Sequence, residues 1–257
     1  MLTAEITKTF KSAKSIIVFI IMNFLGVAAS LEAAFRGATT GNHPTMVSLL
    51  ANGTWTQYRN IYIWFMPVFL ILAYCEKYIT ERKKGIVNVY LSKTNKKKFF
   101  FSKILSSFII SAIFSGVPLL INLGMNIVLM HNGTGFLGLE DYSKEALGEY
   151  LYNSMQHPYL SWFLYFISFV LVMGLLGTMC EAFCFIFRDS KLAYIVSLAL
   201  WMINFATPAI CINDAIQPLQ PESTIENALI GYMYYLPMVF IPIIIAYISI
   251  VVKKDEL

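Results

Sequence analysis

Charge is what this sequence has least of. Of its 257 residues only 13% are Asp, Glu, Lys or Arg, while 58% are hydrophobic. Water-soluble domains carry about a quarter charged residues, so a soluble globular class is excluded. Histidine is nearly absent: His43, His131 and His157 all lie between apolar runs, as solvated loop residues rather than ligands or bases. No Gly is followed by Lys, which excludes a phosphate-cradling P-loop and nucleotide hydrolysis by this chain. His-Glu-x-x-His and Gly-x-Ser-x-Gly are missing too, so two common hydrolase signatures fall away. Cys75, Cys180, Cys184 and Cys211 sit within or at the ends of apolar runs, where they read as small packing residues. The chain reads as a protein with no catalytic residues, no metal and no cofactor of its own.

What it has instead is length of apolar run. A helix needs roughly 20 apolar residues to cross a bilayer. Six stretches qualify, with approximate bounds 16–35, 60–79, 101–130, 159–187, 191–212 and 231–252. The first two are short unless Glu32, Glu76 or Lys77 reaches the interface. The first also lacks a clean small-x-small cleavage site, so it reads as a retained span rather than a signal peptide. The expected fold is an all-α membrane protein, a single transmembrane domain over residues 1–257.

The basic residues give this arrangement a direction. Of 19 Lys and Arg, 16 lie before the first span, between the second and third, between the fourth and fifth, or after the sixth. Only Arg36, Arg59 and Lys144 lie on the other side. Positive charge stays inside, so both termini are expected in the cytoplasm of a multi-pass protein of the cell membrane. The tail Lys254-Asp255-Glu256-Leu257 spells an ER-retention signal, but that signal is read from the opposite side. The sequons at Asn52 and Asn132 fall in outer loops, where Asn-Gly is also a plain turn dipeptide. The Ile-, Lys- and Asn-rich composition reads as that of a low-GC bacterium.

Polar residues inside the spans are few. Asn122, Asn126 and Asn204 are suited to hydrogen bonds between helices or to lining a path, and Glu181 is the one acid well inside a run. A pairing of Glu181 with Arg188 is as reasonable as a coupling role. Leu2, Ile6, Phe10, Ala13 and Ile17 recur near helical spacing, with Lys8, Lys11 and Lys14 on other faces. That pattern predicts an interfacial amphipathic helix leading into the first span. A second amphipathic stretch runs from Leu139 to Leu151, and Pro218, Pro221 and a capping box Ser223-x-x-Glu226 precede the last span.

The loop from Glu76 to Lys103 is the most informative segment. Nine of its residues are basic, and Ile86, Val87, Val89, Tyr90 and Leu91 interrupt the charges compactly. Anionic headgroups explain the charge but not that apolar insert, which predicts a short helix lying against another protein. Here the sequence resembles the membrane subunits of ABC-type exporters of the six-span kind with a separate ATPase. Glu81-Arg82, Gly85, Leu91, Lys96 and Lys103 fall in that family's order, although its usual Pro near Lys93 is absent.

The resemblance implies a cytoplasmic coupling helix between spans two and three. Glu81, Arg82, Gly85, Val89, Leu91 and Lys96 would dock it on the ATPase. It also implies two cytoplasmic ATPase subunits holding ATP and Mg, a second permease subunit, identical or related, and short outer helices at the exit. Bilayer lipid is the other partner, and nucleic acid is not one. The expected function is ATP-driven export of an antimicrobial peptide, drug or lipid-like amphiphile. An ATP-independent carrier or channel, or a membrane sensor or assembly component, is the alternative.

Overall fold

The computed structural model describes residues 2–40, 57–130, 143, 149–207, 210–216 and 224–252. The sequons, the stretch 139–142, the two prolines 218 and 221 and the last five residues lie outside them. Among the described residues all regular structure is helical and no strand occurs. In chain order the helices are α1 (Leu2–Phe10), α2 (Ala13–Thr40), α3 (Gln57–Trp64), α4 (Met66–Lys83), α5 (Ile86–Lys93) and α6 (Lys96–Leu129). There follow α7 (Glu149–Gln156), α8 (Pro158–Ile186), α9 (Ser190–Ala206), α10 (Asn213–Ile216) and α11 (Ile225–Val252).

Four of these, α2 over Ala13–Phe35, α6, α8 and α11, are long and apolar enough to cross a membrane. A fifth arises if α3 and α4, bent by 58° at their junction, are one broken span. The bend falls in the run expected at 60–79, and its cause is local. Pro67 has no N–H, so the carbonyl of Ile63 loses its partner four residues on. The buried indole of Trp201 on α9 donates to that carbonyl at 3.0 Å instead. A kink at membrane depth is tolerated where a neighbouring helix satisfies the freed group.

The run expected at 191–212 ends early. Helix α9 stops at Ala206, giving it 17 residues and a length of roughly 26 Å. Thr207 is extended, as suits the residue before Pro208. The backbone N–H of Ile212 then returns to the Asn204 carbonyl, and α10 packs against α8 and α11. The last run starts at the side chain of Thr224, which caps the N–H of Asn227. The capping position is thus one residue beyond the expected Ser223.

Helix α8 stands at the centre, with α6 and α11 packed along it and α4 and α9 against its other sides. From Leu176 to Phe185 every residue of it is buried. Close approach to α6 comes from glycines: a Cβ on Gly177 would lie 1.8 Å from Ser111 Oγ. Ser107, Ser111 and Ser115 follow one another at i, i+4 and so share a face of α6. Tyr74 reaches Ser111 Oγ at 2.5 Å, and Tyr62 donates to the Ser115 carbonyl at 2.7 Å. In an apolar medium such short polar bonds and small residues hold helices together.

Candidate functional site

Two features share the basic end of the bundle: an exposed short helix and a buried cluster of charges beside it. The short helix, α5, exists because the chain turns sharply at Gly85. Its φ is 71°, a left-handed conformation that costs a residue with a Cβ about 1–2 kcal/mol. Backbone bonds from Lys84 to Thr80 and from Gly85 to Arg82 close the turn. Val87 is buried, and Tyr90 and Leu91 pack with it on Tyr78, Phe99, Phe100 and Phe185. Ile86, Asn88, Val89, Ser92 and Lys93 face outward, with Val89 54% exposed. Asn95 then caps α6 by accepting from the Lys97 N–H at 2.9 Å, which fixes where α5 stops.

The six residues expected to dock a partner therefore divide by position. Val89 is on the exposed face and Lys96 is half-buried at the first turn of α6. Leu91 is turned toward the aromatic cluster. Gly85 makes the turn, and Arg82 Nη1 donates to the Phe185 carbonyl at 3.3 Å, pinning α4 to α8. Glu81 is buried, and its carboxylate is taken up by Lys8 and Lys103. A direct contact from Glu81 to a docked protein is thus replaced by an internal role.

That internal role is the charge cluster. Lys103 Nζ lies 2.8 Å from Glu5 Oε2 and 3.2 Å from Glu81 Oε2, with all three side chains at most 10% exposed. Lys8 pairs with the other oxygen of Glu81 and lies over the Tyr90 ring at 5.9 Å. Partial burial works against the charge on Lys8, and the Glu81 ion pair outweighs it, leaving the ammonium above its usual range. Glu181 is buried on α8.

Helix α1 also departs from expectation. It ends at Phe10, and Ala13 and Ile17 belong to α2. Its buried residues are Glu5 and Thr9, whereas Leu2 and Ile6 are half-buried and Phe10 is more exposed. Phe10 still touches Phe19 and Phe114.

The intramembrane asparagines are engaged elsewhere. Asn122 Nδ2 donates to the Gly26 carbonyl at 2.8 Å and to Ser30 Oγ at 2.5 Å, joining α6 to α2. Asn126 donates to Asn122 Oδ1 at 3.1 Å, and Asn204 donates to the Ile210 carbonyl at 3.1 Å. All three are buried in helix contacts within this chain. Sequence reading missed Glu5, although it is the lone acid among three lysines before the first span. It missed the serine face of α6 as well, which the i, i+4 spacing displays.

Together these elements define a helical protein with membrane-capable spans, carrying an exposed helix braced by buried charge. No family model matches the chain, and no solved structure does. It is similar to the uncharacterised protein YybM of Bacillus subtilis (strain 168), at 28% identity over 203 residues. The match covers 78% of this chain and 79% of that protein.

Proposed function

We propose that the chain is the membrane-spanning permease subunit of an ATP-driven exporter, docked through α5 on a separate cytoplasmic ATPase. The observation that carries this reading is α5 itself. Its inner side is anchored on an aromatic cluster, while Ile86 and Val89 stand outward among Lys83, Lys84, Lys93 and Lys97. An exposed apolar pair with a basic rim suits a partner groove with an apolar floor and acidic edges. Counting the bent pair and α9 as spans gives six, with both termini and α5 on the cytoplasmic side where the basic residues gather. Helix α1 then lies at the inner interface of a bacterial cell membrane, and α10 is a short insertion on the outer side. Two such subunits, identical or related, would enclose the path for an amphipathic or cationic substrate such as an antimicrobial peptide.

Co-purification with an ABC-type ATPase subunit from the same organism tests the reading. Val89→Glu together with Ile86→Glu is expected to abolish association, because two charges would enter an apolar contact. Removal of residues 83–92 with ATPase association and ATP-dependent transport intact would refute it.

A further inference from the structure

We infer that Lys8 on α1 is a positioning residue for α5, holding that exposed helix at a set angle through the Tyr90 ring. What the angle means for a partner rests on the exporter reading; where α5 stands does not. The turn at Gly85 leaves the angle open. Nothing lies within 4 Å of a Cβ placed there, and no side chain caps the first turn of α5. Contacts further along therefore set it. Val87 and Leu91 supply apolar packing, which has no preferred direction. Tyr90 supplies the directional contacts, to the Phe99 ring at 6.4 Å and 27° and to the Lys8 ammonium 5.9 Å from its centroid.

A flexible lysine would hold nothing, but Lys8 is itself held. Its ammonium is paired with Glu81 Oε1, and Glu81 Oε2 takes Lys103 Nζ at 3.2 Å. Lys103 in turn takes Glu5 Oε2 at 2.8 Å, and Glu5 stands three residues before Lys8 on the same helix. Glu5, Lys103, Glu81 and Lys8 thus alternate in sign and close a loop from α1 through α6 and α4 back to α1. Charge-assisted bonds at each step hold the Lys8 ammonium in place. Glu5, Lys103 and Glu81 are buried, whereas the Lys8 side chain is 42% exposed and ends the series against the ring. Helix α1 in this way reaches α5, which packs chiefly on α4 and α6.

Thiol labelling of the full chain in nanodiscs tests it, with Cys211→Ser in the background because the other cysteines are buried. Val87→Cys lies on the buried side of α5 and reacts with a maleimide only when that helix opens. Lys8→Gln should raise its labelling rate roughly two- to fivefold, the range that a cation over a partly exposed ring sets. Lys8→Arg should restore the wild-type rate, since a guanidinium keeps both the ion pair and the ring contact. Tyr90→Phe should leave the rate unchanged, and Tyr90→Leu should raise it. In the Tyr90→Leu chain, Lys8→Gln should add nothing further, because the two residues act through one contact. Ala193→Cys, buried on α9, should label at one rate in every variant. An unchanged Val87→Cys rate in Lys8→Gln overturns the inference, as does a full second increment in the Tyr90→Leu chain. A parallel rise at Ala193→Cys overturns it too, for Lys8 would then hold the bundle rather than α5. No partner enters the measurement, so its failure is separate from a failure of ATPase co-purification.

Discussion

Adding one methyl group at Gly177 sets two effects of known size against each other. Alanine is the better helix former by about 1 kcal/mol, so Gly177→Ala should stabilise α8 if nothing lay opposite. The structure places Ser111 and Tyr74 there. The new Cβ would fall 1.8 Å from Ser111 Oγ, 2.4 Å from the Tyr74 hydroxyl and 2.6 Å from Ser111 Cβ. Ordinary contacts lie at 3.4–4 Å, so α6 and α8 must part or both side chains must turn away. Overpacking of this kind costs about 1–3 kcal/mol. Loss of the Tyr74 bonds to Ser111 Oγ and the Ser107 carbonyl adds about 1 kcal/mol each. The clash therefore wins, with a net destabilisation of about 2–4 kcal/mol.

Thermal denaturation in detergent, followed as the loss of monodisperse protein on size exclusion, measures it. The midpoint should fall by several degrees. Ser111→Gly in the same chain removes two of the three clashing atoms and should recover part of the loss. Gly124→Ala is the internal control, because nothing lies within 4 Å of its Cβ position and it should gain stability. A Gly177→Ala chain as stable as the wild type would show that α6 and α8 do not approach as described.

Four further outcomes follow from other contacts. Trp201→Phe strands the Ile63 carbonyl at the bend and should cost about 1–3 kcal/mol in the same assay. Lys103→Met leaves Glu5 and Glu81 buried without their shared cation, and a loss of about 3–5 kcal/mol is expected. Gly85→Ala should cost about 1–2 kcal/mol from its positive φ, with no steric clash, and under the proposed docking role of α5 it should also weaken ATPase co-purification. Asn122→Ala should lower stability by about 1 kcal/mol in the same assay, since its amide joins α2 to α6.

The parts of the fold that depend on neighbours in sequence were legible in it. Apolar runs marked the long helices within a few residues, and the apolar insert at 86–91 marked α5. Gly85 was expected as a docking residue, and its turn, with φ 71°, emerges from the backbone. The bend between α3 and α4 was half legible: Pro67 signals a lost hydrogen bond, but the survival of the helix pair depends on Trp201, 134 positions further along. Asn122 and Asn126 share a face by their i, i+4 spacing. Which surface that face meets is a tertiary fact, and spacing carries no record of it.

Helix α1 shows the same limit more sharply. Its sequence supplies two faces, one of Leu2, Ile6 and Phe10 and one containing Glu5 and Thr9. In water the apolar face would turn inward by default, since that is where apolar surface is removed from solvent. Beside a bilayer the rule loses its sign, because lipid satisfies an apolar face as well as a protein core does. What then decides orientation is the group that lipid cannot satisfy. Lys103 sits seven residues into a long apolar helix, and an ammonium at that depth needs carboxylates. Glu81 supplies one from α4, and Glu5 supplies the other only if α1 turns its polar face inward. The lone acid among the N-terminal lysines and the lone lysine inside the third run are each ordinary alone; as a pair they fix how α1 lies.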